Sequence, residues 1–190
     1  MAAELTYEIK GLGLVDRELN ALAGAVTDEG MSATLKTIGV IGERRAAASF
    51  RDERAPEMVA DLGDAEAAAG RPWEPLAPNT QAARRGSGKQ ARTLRDTGHG
   101  AMSVTSQVGR GYVEIGSGVE HMAYQHGGTR PYTIVPKTKG ALHFLTADGF
   151  VTVRIVHHPG IPARPFIGFD HSDVEHVLEL IDGRLQRAGI

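Results

Sequence analysis

Apolar residues recur every three to four positions in LVDRELNALAGAV, residues 14–26, and place Val15, Leu19, Leu22 and Val26 on one helical face. Asp28, Glu29 and Gly30 interrupt the pattern. It resumes after Ser32, a candidate N-cap, where Leu35, Ile38, Ile41 and Ala48 mark a second helix ending near Phe50. Gly39 and Gly42 each cost that helix about 1 kcal/mol relative to alanine, a penalty that tight packing against a neighbour would offset. Residues 51–72 carry charges and alanines without an apolar stripe, which predicts a loop with one short helix. Pro72, Pro75 and Pro78 exclude helix and central strand from RPWEPLAPNT, leaving Trp73 and Leu76 to pin the loop to the core.

From residue 101 the period changes to two. Met102, Val104 and Ser106 alternate with smaller or polar neighbours, GRG turns the chain, and YVEIGS sets Tyr112 and Glu114 opposite Val113 and Ile115. This is the pattern of an antiparallel hairpin. Ser117 and Glu120 fit a capping box opening a short helix through His126, closed by Gly127. ALHFLT and FVTVRIV then flank Ala-Asp-Gly as a second hairpin. A C-terminal helix comes last, capped by Asp170 or by a Ser172–Glu175 box. Val174, Val177, Leu178, Ile181 and Leu185 lie on its apolar face, and Gly189 ends it. Strands clustered between helices predict an α+β class. The expected architecture is one antiparallel sheet of about four strands, with two N-terminal helices, a short central helix and a C-terminal helix. A single domain over residues 1–190 is expected, with a mobile insert or loop at about 52–95.

Composition narrows the function classes. The chain has 190 residues, 41% hydrophobic, 23% charged and 5% aromatic, with a net charge of -2. That balance is not the overall basic one of a general nucleic-acid binder. The absence of cysteine removes disulfides, thiolate zinc sites and cysteine nucleophiles. No apolar run approaches the roughly 20 residues of a membrane span, and MAAELTYEIK lacks the apolar core of a secretory signal, so no membrane partner is expected. Few aromatics make thin material for a stable monomer.

Eight histidines raise the question of a metal. His121 and His126, five apart, would stand about 140° apart around a helix, a poor pair of ligands. His157 and His158, adjacent at a strand end, point to opposite faces. A metal-dependent hydrolase using His121, His126 and His157 is therefore the minority reading, and no metal or cofactor is expected. No G-x-S-x-G elbow or phosphate-cradling loop occurs, and GRGYVEIGSG opens a strand rather than a helix. No catalytic residue is assigned, and the chain is expected not to be an enzyme. Residues 84–95, RRGSGKQARTLR, form an expected exposed basic loop with Arg84, Arg85, Lys89, Arg92 and Arg95 and no interleaved aromatic. Such a loop would touch phosphates without reading bases, or would meet an acidic partner such as segment 52–66 of another copy.

Four stretches in chain order carry a resemblance. They are Trp73, Pro75, Leu76, Pro78 and Thr80 in RPWEPLAPNT; Leu94, Arg95, Thr97 and Gly98 in LRDTGHGAMSV; YVEIGSGVEHMAYQHGG; and IPARPFIGFDHSDVEHVLELIDGRL. In these the chain resembles the phage virion morphogenesis family, the tail completion proteins of Mu-like phages, over about residues 35–188. The segment from Arg54 to Gly70 is longer than the family loop, Gly100 stands where the family has a hydrophobic residue, and PYTIVPKTKGALHF is closer to siphophage neck proteins.

The resemblance implies a structural virion protein of the tail or neck, assembled in the host cytoplasm. It would form a ring, commonly a hexamer, at the head-proximal end of the tail and join tail to head. Its implied neighbours are copies of itself, the tail tube or tail terminator protein and the portal-side neck proteins, with channel DNA nearby. A tail terminator that stops tube growth is the alternative. The proline-rich strap HHPGIPARPFIGF, residues 157–169, then becomes an interface element. His157, His158, Pro162, Pro165 and Phe166 lie along it, and Arg164 is mounted stiffly between Ala163 and Pro165 for a neighbour's carboxylate. Ring growth requires heterologous contacts, since a self-complementary patch closes at a dimer.

Overall fold

The computed structural model describes residues 28–188 except 60–62, 87, 89–90, 139 and 147–148. The helix expected over 14–26 lies outside these residues. Helix α1 (Asp28–Asp52) begins four residues before Ser32, which is an exposed helical residue rather than its cap. The helix stops where Glu53 adopts the left-handed conformation (φ 52°) and the Arg54 amide bonds back to the Ser49 carbonyl at 3.2 Å. That is the six-to-one bond of a Schellman ending, with glutamate where glycine is usual.

Strand β1 (Met58–Val59) and a single 3-10 turn (Glu66–Ala68) come next. Helix α2 (Pro78–Gly86) starts on the third proline, contrary to the expectation of no helix there. Proline is accepted in a first turn because the amide it lacks would have no partner in that position. Helix α3 (His99–Met102) replaces the expected start of the first hairpin, so Met102 is an exposed helical residue. The hairpin itself is as read. Strands β2 (Val104–Val108) and β3 (Val113–Ser117) pair antiparallel from Val104 opposite Ser117 to Val108 opposite Val113. Helix α4 (Glu120–Gly127) is preceded by Val119, not capped by Ser117, and ends at Gly128 rather than Gly127. The Ser117 hydroxyl instead accepts from the Val119 amide and bonds to the Ser103 hydroxyl.

The remaining strands are β4 (Tyr132–Ile134), β5 (Leu142–Thr146), β6 (Gly149–Val153), β7 (Val156–His158) and β8 (Gly168–Phe169). They do not join one four-stranded sheet. Among the described residues the eight strands pair in twos, β1 with β8, β2 with β3, β4 with β7 and β5 with β6, all antiparallel. The class is α+β, with small ladders in place of a sheet.

Two apolar clusters organise the body. One gathers Phe50, Val59, Trp73, Met122, Phe166 and Ile167; the other gathers Leu35, Ile38, Ile41, Phe169, Val177 and Ile181. Helix α1 feeds both and lies against the β2–β3 hairpin. Its glycines make that approach possible. A methyl group on Gly39 would come within 2.5 Å of Ser106 Oγ and 2.8 Å of its Cβ, and one on Gly42 within 2.3 Å of Ile115 Cδ1. The Ser106 amide and hydroxyl meanwhile donate to Glu43 at 2.6 and 2.7 Å, joining helix to strand.

Helix α5 (His171–Ala188) is capped by Asp170, one of the two expected candidates. Its carbonyl accepts from the Asp173 and Val174 amides, and the Asp173 carboxylate reaches back to the Asp170 amide at 2.8 Å. Only this half of a capping box is made, since the Asp170 carboxylate accepts from the Glu57 amide at 2.9 Å; Ser172 and Glu175 stay exposed. Arg45 from α1 donates to Asp173 through Nε (2.6 Å) and Nη2 (3.0 Å) and also pairs with Asp170. Val177 and Ile181 are buried as the periodicity predicts, Val174 and Leu185 are half-buried, and Leu178 is 39% exposed, off the apolar face assigned to it.

His171 donates to Glu57 through both ring and backbone, and this holds the Glu57 carboxyl below its usual range and raises the His171 imidazole.

Two outcomes are expected. Gly39→Ala lowers unfolding free energy by about 1–3 kcal/mol in urea titration, because overpacking against Ser106 exceeds the gain in helix propensity. In an NMR titration His171 ionises above 6.5, and its midpoint falls in Glu57→Gln. The raised His171 value contributes stability that is complete below 6.5 and fades as pH rises through the folded value. The lowered Glu57 value contributes above 4.5 and fades as pH falls, so the pair acts between the two.

Candidate functional site: the strap, the arm it roots and the basic segment

Every turn of the 157–169 strap is held by its own chain. The Thr129 amide donates to the Ile161 carbonyl (2.8 Å), and the Ile161 amide donates to Thr129 Oγ1 (2.9 Å). The Arg164 amide donates to the Gln125 carbonyl (2.8 Å), and the Pro165 carbonyl accepts from Trp73 Nε1 at 2.8 Å. The Phe166 and Ile167 amides point at Nδ1 of buried His126, 3.3 and 3.5 Å away. An imidazole that accepts at Nδ1 carries its proton on Nε2. Proline removes donors from this path, so each remaining amide counts, and each of these has an acceptor.

Arg164 is 5% exposed. Its Nε donates to the Glu74 carbonyl at 2.9 Å, Nη2 to the Pro75 carbonyl at 3.3 Å and Nη1 to Gln125 Oε1 at 3.5 Å. Burial lowers its pKa from the ordinary value, an effect that the charge of Glu74 partly offsets. The expected outward contact to a neighbour's carboxylate is thus replaced by an inward clamp on the Trp73 loop. Pro165 and Phe166, also expected at an interface, are buried. Phe166 packs 5.1 Å from the Phe50 ring and 5.0 Å from the His126 ring, and Phe50 meets Trp73 edge-on at 5.5 Å. The reason is apolar area: a phenylalanine held by stiff backbone stabilises more in a core than on a rim. Pro162 and His158 are half-exposed and His157 is exposed, so these three remain on the surface.

Between the ends of the strap and α4 the chain runs out and back. Strands β4 and β7 pair first, Tyr132 opposite His158 and Ile134 opposite Val156, and beyond them β5 and β6 pair from Leu142 opposite Val153 to Thr146 opposite Gly149. We call residues 129–163 the arm. None of its described residues is buried. Tyr132, Val135, Phe144, Phe150 and Ile155 are all exposed, Phe150 by 82%. Its root is narrow: Gly128 (φ 72°) and Gly160 (φ 102°) occupy conformations that side-chain-bearing residues rarely adopt, and a methyl group on Gly160 would strike the Thr129 carbonyl at 2.3 Å. Alternation in the sequence predicts the outer hairpin but not that so much of it stays uncovered. The available signal was the joint run of apolar and basic residues with almost no acid.

The basic residues separate into two kinds. Arg84 and Arg85 stand on the last turn of α2 instead of in a loop. Arg84 donates to the Arg92 carbonyl, and Arg92 donates to Glu53 Oε1 (3.0 Å) and to the Arg51 carbonyl. Burial disfavours charge on Glu53, but hydrogen bonds from Arg92 and Thr93 outweigh it and hold its carboxyl below the usual range. Arg92 thereby fastens the segment after α2 to the end of α1. Arg85 and Arg95 are exposed, and Lys89 lies outside the described residues.

The three histidines of the hydrolase reading are not brought together. His126 is buried under Phe166, His157 on β7 bonds to Thr133 Oγ1 at 3.2 Å, and His121 is exposed on α4. Among the described residues no group of three His, Cys, Asp or Glu is placed to hold a metal ion. An open cavity of about 200 Å³, lined by Leu94, Thr97, His99, His121, Met122 and Gln125, lies where the L-x-x-T-G stretch meets α4. It is smaller than the roughly 300–1,000 Å³ typical of small-molecule sites.

Arg164→Ala is expected to lower unfolding free energy by about 2–4 kcal/mol, because it leaves the Glu74 and Pro75 carbonyls without their charged donor. Arg164→Lys, which cannot span three oxygens, should recover less than half of that loss in the same denaturant titration.

No curated protein and no solved structure matches this chain. Among the described residues no helix is long and apolar enough to cross a membrane. A comparison with protein families matches residues 15–186, nearly the whole chain, and that span contains the Trp73 loop, α4, the arm and the strap. The chain belongs to the phage virion morphogenesis family and is in that sense a structural or assembly protein of a phage particle.

Proposed function

We propose that this protein is a tail completion or neck protein, which forms a ring at the head-proximal end of the tail and joins tail to head. The observation that supports this most directly is the arm. Five large apolar residues are exposed on a segment whose described residues include none that is buried, and its two ends are locked into the body by the strap. Exposed apolar patches of this kind mark surfaces that meet other proteins. A rigid body carrying one unsatisfied extension is suited to repeat head-to-tail, and such contacts close into a ring when the rotation permits. On this reading the tail tube or its terminator occupies one side and portal-side neck proteins the other. The exposed Arg85 and Arg95 would lie in reach of channel DNA, with non-specific contact to phosphates only.

The test is electron microscopy of lysates from a phage in which this gene is disrupted. Filled heads and tails of normal length, accumulating separately, are expected. Tails of uncontrolled length would instead identify a terminator, and normal joined particles would exclude both roles.

A further inference from the structure

We propose that the arm of one copy docks on the outer face of helix α5 in the next copy. This deepens the ring reading and rests on it. Charge is the first argument. Residues 129–163 hold Arg130, Lys137, Lys139 and Arg154 against a single acid, Asp148; the rest of the chain holds seventeen Lys or Arg against twenty-two Asp or Glu. The arm is therefore a basic extension on an acidic body, and complementary potentials of this kind steer and orient association. Arg130, Lys137 and Arg154 are exposed, and none makes a salt bridge among the described residues.

Helix α5 offers the matching surface. Glu175, Glu179 and Asp182 succeed one another at four and three positions along the helix and are all exposed. No lysine or arginine stands three or four positions from Glu175 or Glu179, so the stripe repels itself within its own helix. Neither glutamate makes a hydrogen bond or salt bridge among the described residues. Leu178 borders this stripe, 39% exposed, an apolar residue beside the acids. The arm carries the complementary arrangement. On β6 Phe150 and Thr152 share a face by alternation, and cross-strand pairing puts His143 beside Thr152 on that face, with exposed Arg154 two residues further along the chain. An aromatic tip with a cation further along its strand fits a leucine bordered by carboxylates.

Packing gives the second argument. A two-stranded ladder is marginal in water without a covered face. The arm consists of two such ladders in series; β5 lies beside helix α2 of its own chain, yet the arm's described residues contribute none of the buried residues of either cluster. A segment of this length also supplies the roughly 20–30 residues a side of a standard interface. The contact joins two different surfaces, arm and α5, so it is heterologous and propagates.

The natural chain has no cysteine, which makes the test clean. Full-length Phe150→Cys and Leu178→Cys chains are purified separately, mixed and oxidised at high concentration, and the products are mapped by peptide mass analysis. Both sites are exposed, so neither change disturbs the core. A disulfide between positions 150 and 178 of different chains is expected in several-fold excess over 150–150 and 178–178 products. In the unmodified background Phe150→Asp is expected to shift the sedimentation profile to monomer with an unchanged circular dichroism spectrum. Oligomers in sedimentation that lack the 150–178 product would overturn this contact and leave the ring reading standing. A dominant 150–150 product would make the arm self-complementary and overturn it as well. Monomer at every concentration would sink the contact and the ring together.

Discussion

The guanidinium of Arg164 sits among oxygens of its own chain, the carbonyls of Glu74 and Pro75 and the amide oxygen of Gln125, and is closed off from water. A buried arginine without a carboxylate partner is tolerated only where several dipoles are turned toward it, so it dictates the path of everything it touches. Here it fixes the Trp73 loop against α4 and the strap against both. The indole of Trp73 returns the constraint by donating to the next carbonyl along, that of Pro165. Remove that arrangement and three segments far apart in sequence lose their common register.

The C-terminal part of the molecule depends on that register. Two residues after Arg164 the strap delivers Phe166 to the Phe50–Trp73 cluster, and three residues later Phe169 to the cluster between α1 and α5. Between them β8 pairs with β1, and Asp170 then caps α5 while receiving Arg45. A short peptide thus sews two small cores together in a protein whose aromatic content is 5%. Stiff backbone suits this work, since prolines reduce the freedom lost when such a path is ordered. The strap, expected as an interface element, makes its described contacts through Arg164, Pro165 and Phe166 inside the subunit.

With the strap spent on the interior, the surface available to neighbours is the arm it roots, the acidic outer face of α5 and the two arginines exposed at the ends of the basic segment. The Thr129–Ile161 bridge closes the root of the arm, whose strand β5 comes back beside helix α2. Membership of a virion morphogenesis family agrees with a protein whose chemistry is in its surfaces.

Several features were legible in the amino-acid pattern because they rest on neighbours in sequence. The alternation in 104–117 and 142–153, the turn between the first pair, the faces of α1 and α5 and the Asp170 cap are all local periodicities or local hydrogen bonds. The family signature was legible too, since its motifs are strings of residues. Other features depended on partners distant in the chain. Whether Arg164 faces a neighbour or its own carbonyls is settled by the 73–75 loop and helix α4, some forty to ninety residues away. The same holds for Phe166 and for strands that pair in twos instead of forming one sheet. Periodicity shows which side of an element is apolar; only the tertiary structure decides what covers that side, because burial is a property of the surfaces that meet and not of either sequence alone.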